Sequence, residues 1–525
     1  MRERLVLSKK KYRPLVEWAI HERRQGIFVK TAMAAALGLS AALASASFAG
    51  PKSGGGRPAA KLESFPDPTG VFETLSTSGR VDHRGAFFQS LGTNGRTCGT
   101  CHVPDQAFGL SAAAATRTFR HTRGQDPLFA PVDGANCPDA RRDDPAAHSL
   151  LLEHGVFRIS IPLPADAQFT ISVVHDPYGC AVTLDPKTGQ EDISVYRRPL
   201  PATNLSFLSA VMIDGRETVA PLGDGDTFLA NLVTDLKHQA SDATTGHAQA
   251  LRPPSEAQLA EIVTFELGLY TAQSRDWRAG RLTDDGAEGG TRALSTQEYF
   301  PGINDSLGGN PTGAPFDPSS MTLFAAWDRP IIATTPDGGR RDAARRAIAA
   351  GERIFDTAPL IITGVRGLND NPALGKPATI VAQCSTCHDA PNVGDHSLAA
   401  PLDIGTSHSV LPSMGSDPRV AAALAELSMP DLPVYLISGC PDPADPARSA
   451  SLYTSDPGSA LITGKCSDLN RIKGPILRGL AARAPYFHNG AAADLSQVVN
   501  FYDKRFQMGL TPEQKADLVA FLAAL

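Results

Sequence analysis

The chain has 525 residues, 42% of them hydrophobic and 20% charged, enough for two or three folded cores of ordinary globular composition. Its net charge is −6, and because the first 49 residues carry nine Lys and Arg against three Asp and Glu, the remainder stands at −12. That balance argues against a nucleic-acid partner, whose phosphates call for basic surface, and it would steer a basic redox protein well.

In chain order, residues 1–49 read as a secretory signal peptide. A basic stretch leads into small apolar residues from Ile27 to Leu43, then Ala44-Ser45-Ala46 and Ser47-Phe48-Ala49, two cleavage sites of the small-x-small kind. The apolar run is shorter than the ~20 residues that cross a bilayer. The expectation is a periplasmic or secreted protein with no membrane span after cleavage.

The first chemical signal is Cys98-Gly99-Thr100-Cys101-His102, and Cys384-Ser385-Thr386-Cys387-His388 repeats it. Composition alone would produce on the order of 0.003 such matches in a chain of this length. A zinc site needs four ligands close together, and these pairs lie hundreds of residues apart. A redox dithiol has no use for the adjacent histidine. Covalent haem needs all three residues, two thiols for the vinyl groups and an imidazole for the iron. Two haem c groups are therefore expected, held by Cys98, Cys101, Cys384 and Cys387, with His102 and His388 as iron ligands.

Residues 103–200 form a long insertion. "GVFRISIPL" and "FTISVV" read as strands of one small β hairpin, and the remaining cysteines fall into two local pairs, Cys137 with Cys180 and Cys440 with Cys466. In an oxidising compartment both are expected to be disulfides. Four histidines of this insertion, His121, His148, His154 and His175, are open alternatives for a sixth iron ligand.

Internal repetition indicates the architecture. "SEAQLAEIVTFELGL" (255–269) and "TPEQKADLVAFLAAL" (511–525) match at an offset of 256, each with a hydroxyl cap, an early acid and apolar residues at helical spacing. "RGAFFQSLG" (84–92) and "AGERIFDTA" (350–358) match more loosely ahead of each CxxCH motif. Each half thus runs helix, CxxCH, long loop, closing helix, the plan of a cytochrome c domain. The predicted fold class is mainly α: two tandem cytochrome c-like domains, 65–275 and 341–525, with long loop-rich insertions, a small β hairpin, and a Gly-, Pro- and Asp-rich linker at 276–340.

"ILRGLAARAPYFHNGAAADLSQVVNFYDKRF" (476–506) resembles the C-terminal part of the bacterial dihaem cytochrome c peroxidase and MauG superfamily, and "RRPLPATNLSFLSAVMIDGRE" (197–217) resembles its first-half counterpart. The resemblance covers both haem cores. It implies that the first haem is the peroxide-binding one and the second transfers electrons, with Arg478 and His488 shaping the second pocket. The distal ligand of the second haem falls on Tyr502, with Met508 the rival. Near the first haem it assigns the pocket glutamine to Gln239. The catalytic glutamate's position is Gln249, which cannot shuttle a proton, so His247 two residues earlier is the candidate acid–base.

Three departures stand out. Ile213 replaces the tryptophan that lies between the haems in the family, and Arg198 and Arg483 replace residues of its calcium site, so calcium is expected to be absent or weak. Long insertions add to these. The implied activity is reduction of hydrogen peroxide with electrons from a cytochrome c or cupredoxin. A dihaem oxygenase or MauG-like oxidant of an organic or protein substrate, and a non-enzymatic electron carrier, remain alternatives.

Overall fold

The computed structural model describes residues 62–525 apart from 186–188, 224–226, 329–335, 389–400, 412, 414–416 and 443–446; the signal segment expected at 1–49 lies outside the described residues. Helix makes up 34% and strand 17%, in several small antiparallel sheets, so the fold is mixed rather than mainly α. The strands are β1 (Leu62–Pro66), β2 (Gly70–Ser76), β3 (Phe157–Pro162), β4 (Thr170–His175), β5 (Val182–Leu184), β6 (Glu191–Arg197), β7 (Leu269–Asp276), β8 (Gly280–Arg281), β9 (Leu360–Ile362), β10 (Ile380–Ala382), β11 (Val434–Ser438) and β12 (Leu452–Thr454). The longer helices are α1 (Ala112–Thr122), α2 (Phe228–Gly246), α3 (Glu256–Leu267), α4 (Pro336–Thr357), α5 (Leu495–Phe506) and α6 (Pro512–Ala523).

The repeat is real in three dimensions. α3 and α6 both start with a capping box, Ser255 with Gln258 and Thr511 with Gln514, which satisfies the first free N–H groups of each helix. Phe265 of α3 packs on Phe87 at 5.0 Å, and its counterpart Phe521 of α6 packs on Phe355 at 5.4 Å. Each partner phenylalanine also lies 6.4 Å from the histidine of its own CxxCH motif, Phe87 from His102 and Phe355 from His388. At Gly351 of α4 an added Cβ would sit 2.0 Å from the Asp517 carbonyl oxygen of α6. In the other half, a Cβ on Gly85 would meet Glu261, the residue equivalent to Asp517. Glycine at these two points lets the leading segment approach the closing helix.

The halves differ upstream of the haem motifs. In the second half the segment is the C-terminal end of α4, but in the first it is only a 3-10 turn at Ala86–Phe88. Gly85 and Gly92 bracket too few residues there to carry a helix, and packing of Phe87 on Phe265 holds the turn instead.

The expected hairpin is corrected. Both strands form, but β3 pairs with β6 while β4 pairs with β11 from the second half, in a sheet ordered β12-β11-β4. The reason lies in burial. Ile437, Tyr435 and Leu452 share an apolar cluster with Ile161, Phe169 and Val195, and Ile171 of β4 packs against it. Strands missed in the sequence, β1 and β2, make a hairpin extended by β7 and β8. Residues 276–340 also contribute to a core, since Met321, Leu323, Phe324 and Trp327 are buried with α4 and α6. Both expected disulfides are present, with Cα–Cα distances of 5.9 Å for Cys137–Cys180 and 5.5 Å for Cys440–Cys466. Among the described residues no helix is long and apolar enough to cross a membrane.

Candidate functional site

The two CxxCH motifs fold alike. The backbone N–H of Thr97 donates to Thr100 Oγ1 at 3.0 Å, and that of Gln383 donates to Thr386 Oγ1 at 3.0 Å. The histidine N–H groups then return to the first cysteine carbonyls, His102 to Cys98 at 3.0 Å and His388 to Cys384 at 2.9 Å. The threonine inside each motif thus caps the turn that brings the two cysteines and the histidine together.

Neither pair is a disulfide, and partly or fully buried apolar surroundings push the thiols of Cys98, Cys101 and Cys384 up to about 12. Such thiols are poor nucleophiles and poor thiolate donors. Among the described residues no further His, Cys or carboxylate completes a metal set around either pair; the cluster of that kind is Glu217, His238 and Asp242 elsewhere.

Each motif opens on its own cavity. The first, of about 160 Å³, is lined by Cys101 and His102 with Phe157, Leu205, Leu208, Val211 and Leu236. His102 Nδ1 donates to the Phe108 carbonyl at 3.2 Å, which leaves Nε2 as the ligating nitrogen. Burial, the largest influence, holds the imidazole below its usual value and so neutral, the form that binds iron. The second cavity, of about 220 Å³, is lined by Cys384, Cys387 and His388 with Leu360, Leu402, Val499 and Leu522. A cysteine pair, an imidazole and a mostly apolar pocket in each half are what covalent haem requires, so the residues fit two haem c groups.

The cavities share a wall. Arg198, Pro199, Leu200, Pro201, Ile213, Lys473, Pro475 and Ile476 face both. Ile213 is thus one of the residues that line both cavities.

Gln239 and His247 both line the first cavity, brought there by α2 and the turn after it. His247 Nδ1 lies 2.5 Å from Asp133 Oδ2, and the other Asp133 oxygen pairs with the fully buried Arg96. Burial works against the Asp133 carboxylate, but the His247 and Arg96 charges and hydrogen bonds outweigh it and hold its pKa below the ordinary value. None of His121, His148, His154 and His175 faces the cavity. His148 is buried with its two nitrogens on the Gly134 and Arg142 carbonyls, and His154 bonds Gly490. Gln249 accepts from Asn94 at 3.3 Å and lies outside the lining.

At the second cavity His488, Tyr502 and Met508 all line the wall. Burial pulls the His488 imidazole down to about 4, only partly offset by Asp456 at 3.7 Å. Burial likewise pushes the Tyr502 phenol above its usual value. Arg478 is buried but not part of the lining; Glu352 is the charge that acts on it, and Arg483 faces the cavity instead.

Three functional features escaped the sequence reading. Arg96 and Asp133 have no spacing signature linking them to His247. Glu266 lines the first cavity at 6% exposure with one carboxylate oxygen unbonded, and burial raises it to about 8. Its repeat counterpart Leu522 lines the second cavity, so comparison of the two closing helices held that signal.

Over part of its length the chain is similar to cytochrome-c peroxidases. It is 32% identical over 152 residues to cytochrome-c peroxidase IdrP2 of Denitromonas iodatirespirans, covering 27% of this chain and 35% of the relative. It is 37% identical over 81 residues to cytochrome-c peroxidase IdrP1 of the same organism and 35% identical over 81 residues to the IdrP1 of Pseudomonas sp. (strain SCT), 13% of this chain in each case and 22% and 21% of the relatives. The matches thus span about a third or less of those proteins. No family model and no solved structure matches the chain.

Proposed function

We propose that the chain is an exported dihaem c-type oxidoreductase that reduces hydrogen peroxide. His388 and His102 would each hold a haem, the first to receive electrons from a small redox protein and the second to deliver them to peroxide, each peroxide taking two electrons and two protons to give two waters. The observation that carries this reading is the wall shared by two cavities, each with its own CxxCH motif. Haem, when bound, supplies the iron that takes up peroxide and the electrons that split it.

The chain's own residues do the rest. Asp133 fixes Nδ1 of His247, which leaves Nε2 to take a proton from one peroxide oxygen and return it to the other. The Gln239 amide supplies hydrogen bonds on the same wall. Much of the remaining wall around both residues is apolar. With Ile213 in the shared wall, electrons pass without an aromatic side chain at that position. Tyr502 is the proposed second-haem ligand, and calcium is expected to be absent or weak, since Arg198 and Arg483 replace residues of the family's calcium site. The two disulfides agree with export.

The test is EPR on the protein matured with haem, as isolated and half-reduced, each with and without stoichiometric peroxide. A high-spin ferric signal from one haem that peroxide consumes supports the enzyme. Two low-spin signals indifferent to peroxide leave an electron carrier. The apolar lining of the first cavity favours a second reading, oxidation of an organic substrate, which oxygen uptake without added peroxide would reveal.

A further inference from the structure

Arg197 and Arg198 are neighbours in sequence with opposite surroundings. Arg197 is buried between two carboxylates, with Nε 2.7 Å from Asp456 and a terminal nitrogen 2.5 Å from Asp214. Arg198 has no carboxylate partner among the described residues. One of its nitrogens donates to the Leu110 carbonyl at 2.6 Å, and its buried Nε has no bond at all. The charge that acts on it most is another cation, Arg483.

Arg483 is in the same position. It is 7% exposed, and its hydrogen bonds all go to carbonyl oxygens, those of Gly479, Ile476 and Arg478. The nearby Tyr486 offers no anion, because burial lifts its phenol to about 12 and its hydroxyl donates to the Leu480 carbonyl. Burial pulls both guanidinium groups below their usual value, Arg198 to about 9 and Arg483 to about 10. A charge held away from water without a counter-charge is unfavourable. Two such cations, one acting on the other, call for an anion from outside the polypeptide.

Their location limits what that anion is. Arg198 faces both cavities, and Arg483 faces the second. Haem c is tied by its vinyl edge to the cysteine pair and carries two carboxylates on the opposite edge. Arginine's planar fork suits carboxylates, binding them through two parallel hydrogen bonds. We propose that Arg198 and Arg483 form a carboxylate-binding pair for the haem propionates, with Arg198 serving both haems and Arg483 the second. The pair then sets the ferric–ferrous balance of each iron and fixes the haem edges where the cavities meet. This rests on the dihaem reading above.

The experiment is a redox titration of the holoprotein, with haem counted by pyridine haemochrome. A positive charge near the porphyrin favours the ferrous state, so losing it lowers the midpoint. Arg198→Gln is expected to lower both midpoints, each by on the order of a tenfold change in the ferric–ferrous ratio, which is 59 mV for one electron. Arg198→Lys, which keeps the charge, is expected to restore most of the shift. Arg483→Gln is expected to lower the second midpoint alone, and it decides the matter should Arg198→Gln not fold. Two haems with midpoints unmoved by the glutamine substitutions would overturn the proposal and leave the dihaem reading standing. A wild-type protein without two haems would sink both.

Discussion

Oδ2 of Asp133 lies 2.5 Å from Nδ1 of His247, joining the haem-proximal insertion to the end of α2. The contact makes His247 a held imidazole rather than a free surface one, although its side chain is 41% exposed. His247→Gln is expected to lower peroxide turnover by about 10²–10⁴-fold, the usual worth of a positioned acid–base group. Stopped-flow peroxide kinetics on variant protein with two haems would check it.

Asp133→Asn acts through two partners. It frees His247 to turn, so the pH profile of peroxide turnover should shift while haem content stays the same. It also leaves the buried Arg96 without its counter-charge, a loss of about 3–5 kcal/mol of stability. The folded pKa of Asp133 is depressed, so its contribution is full above the unfolded value near 3.9 and is lost as pH falls through the folded value. Chemical denaturation of both forms at pH 6 measures the difference.

Tyr502 and Met508 both face the second cavity, and as ligands of the proposed haem there they predict opposite spectra. Burial alone disfavours the phenolate, so a ferric iron must offset that cost for tyrosine to ligate. Phenolate ligation stabilises ferric iron. Tyr502→Phe should therefore raise the second midpoint and change its EPR signal, with Met508→Leu nearly silent. The reverse pattern would assign the ligand to Met508.

Glu266 gives stability a slope of the opposite sign. Its folded pKa of about 8 exceeds the unfolded value near 4.3, so the folded state holds a proton that the unfolded chain has lost. Stability from this group falls as pH rises between those values and is level above about 8. Glu352, raised to about 8, and Asp356, raised to about 7, add to the same slope, burial being the chief cause in each. Glu266→Gln should stabilise the protein at pH 8 by on the order of 2 kcal/mol and leave pH 4 nearly unchanged. Thermal unfolding at the two pH values would show it.

Gly351→Ala tests the helix crossing behind the second haem. Its Cβ would overlap the Asp517 carbonyl oxygen, which is backbone and cannot swing aside. A loss of about 1–3 kcal/mol is expected, with a lower melting temperature and intact disulfides. Gly246→Ala, where a Cβ meets nothing, is the control.

Some of this molecule could be read one residue after another. The CxxCH motifs are legible because thioether formation and iron ligation need three residues within five positions. The closing helices show in their caps and apolar period, and the disulfides in local cysteine pairs. Even Glu266 was visible in principle, since it interrupts the apolar row of Leu259, Ile262 and Val263 at the position Leu522 fills in the other half.

The remainder depended on contacts between distant segments. Asp133 meets His247, the Arg483 charge acts on Arg198, and β4 leaves its expected neighbour for β11. A strand shows its alternation in sequence but not its partner, because pairing is settled by which apolar face can be covered. A charged residue likewise looks the same whether solvent or a second buried charge awaits it. Bonded chemistry and helical period act over a few residues, so the sequence alone determined the two CxxCH motifs, the disulfides and the closing helices. Burial and charge compensation act through space, so only the tertiary structure decided which side chains surround each haem site.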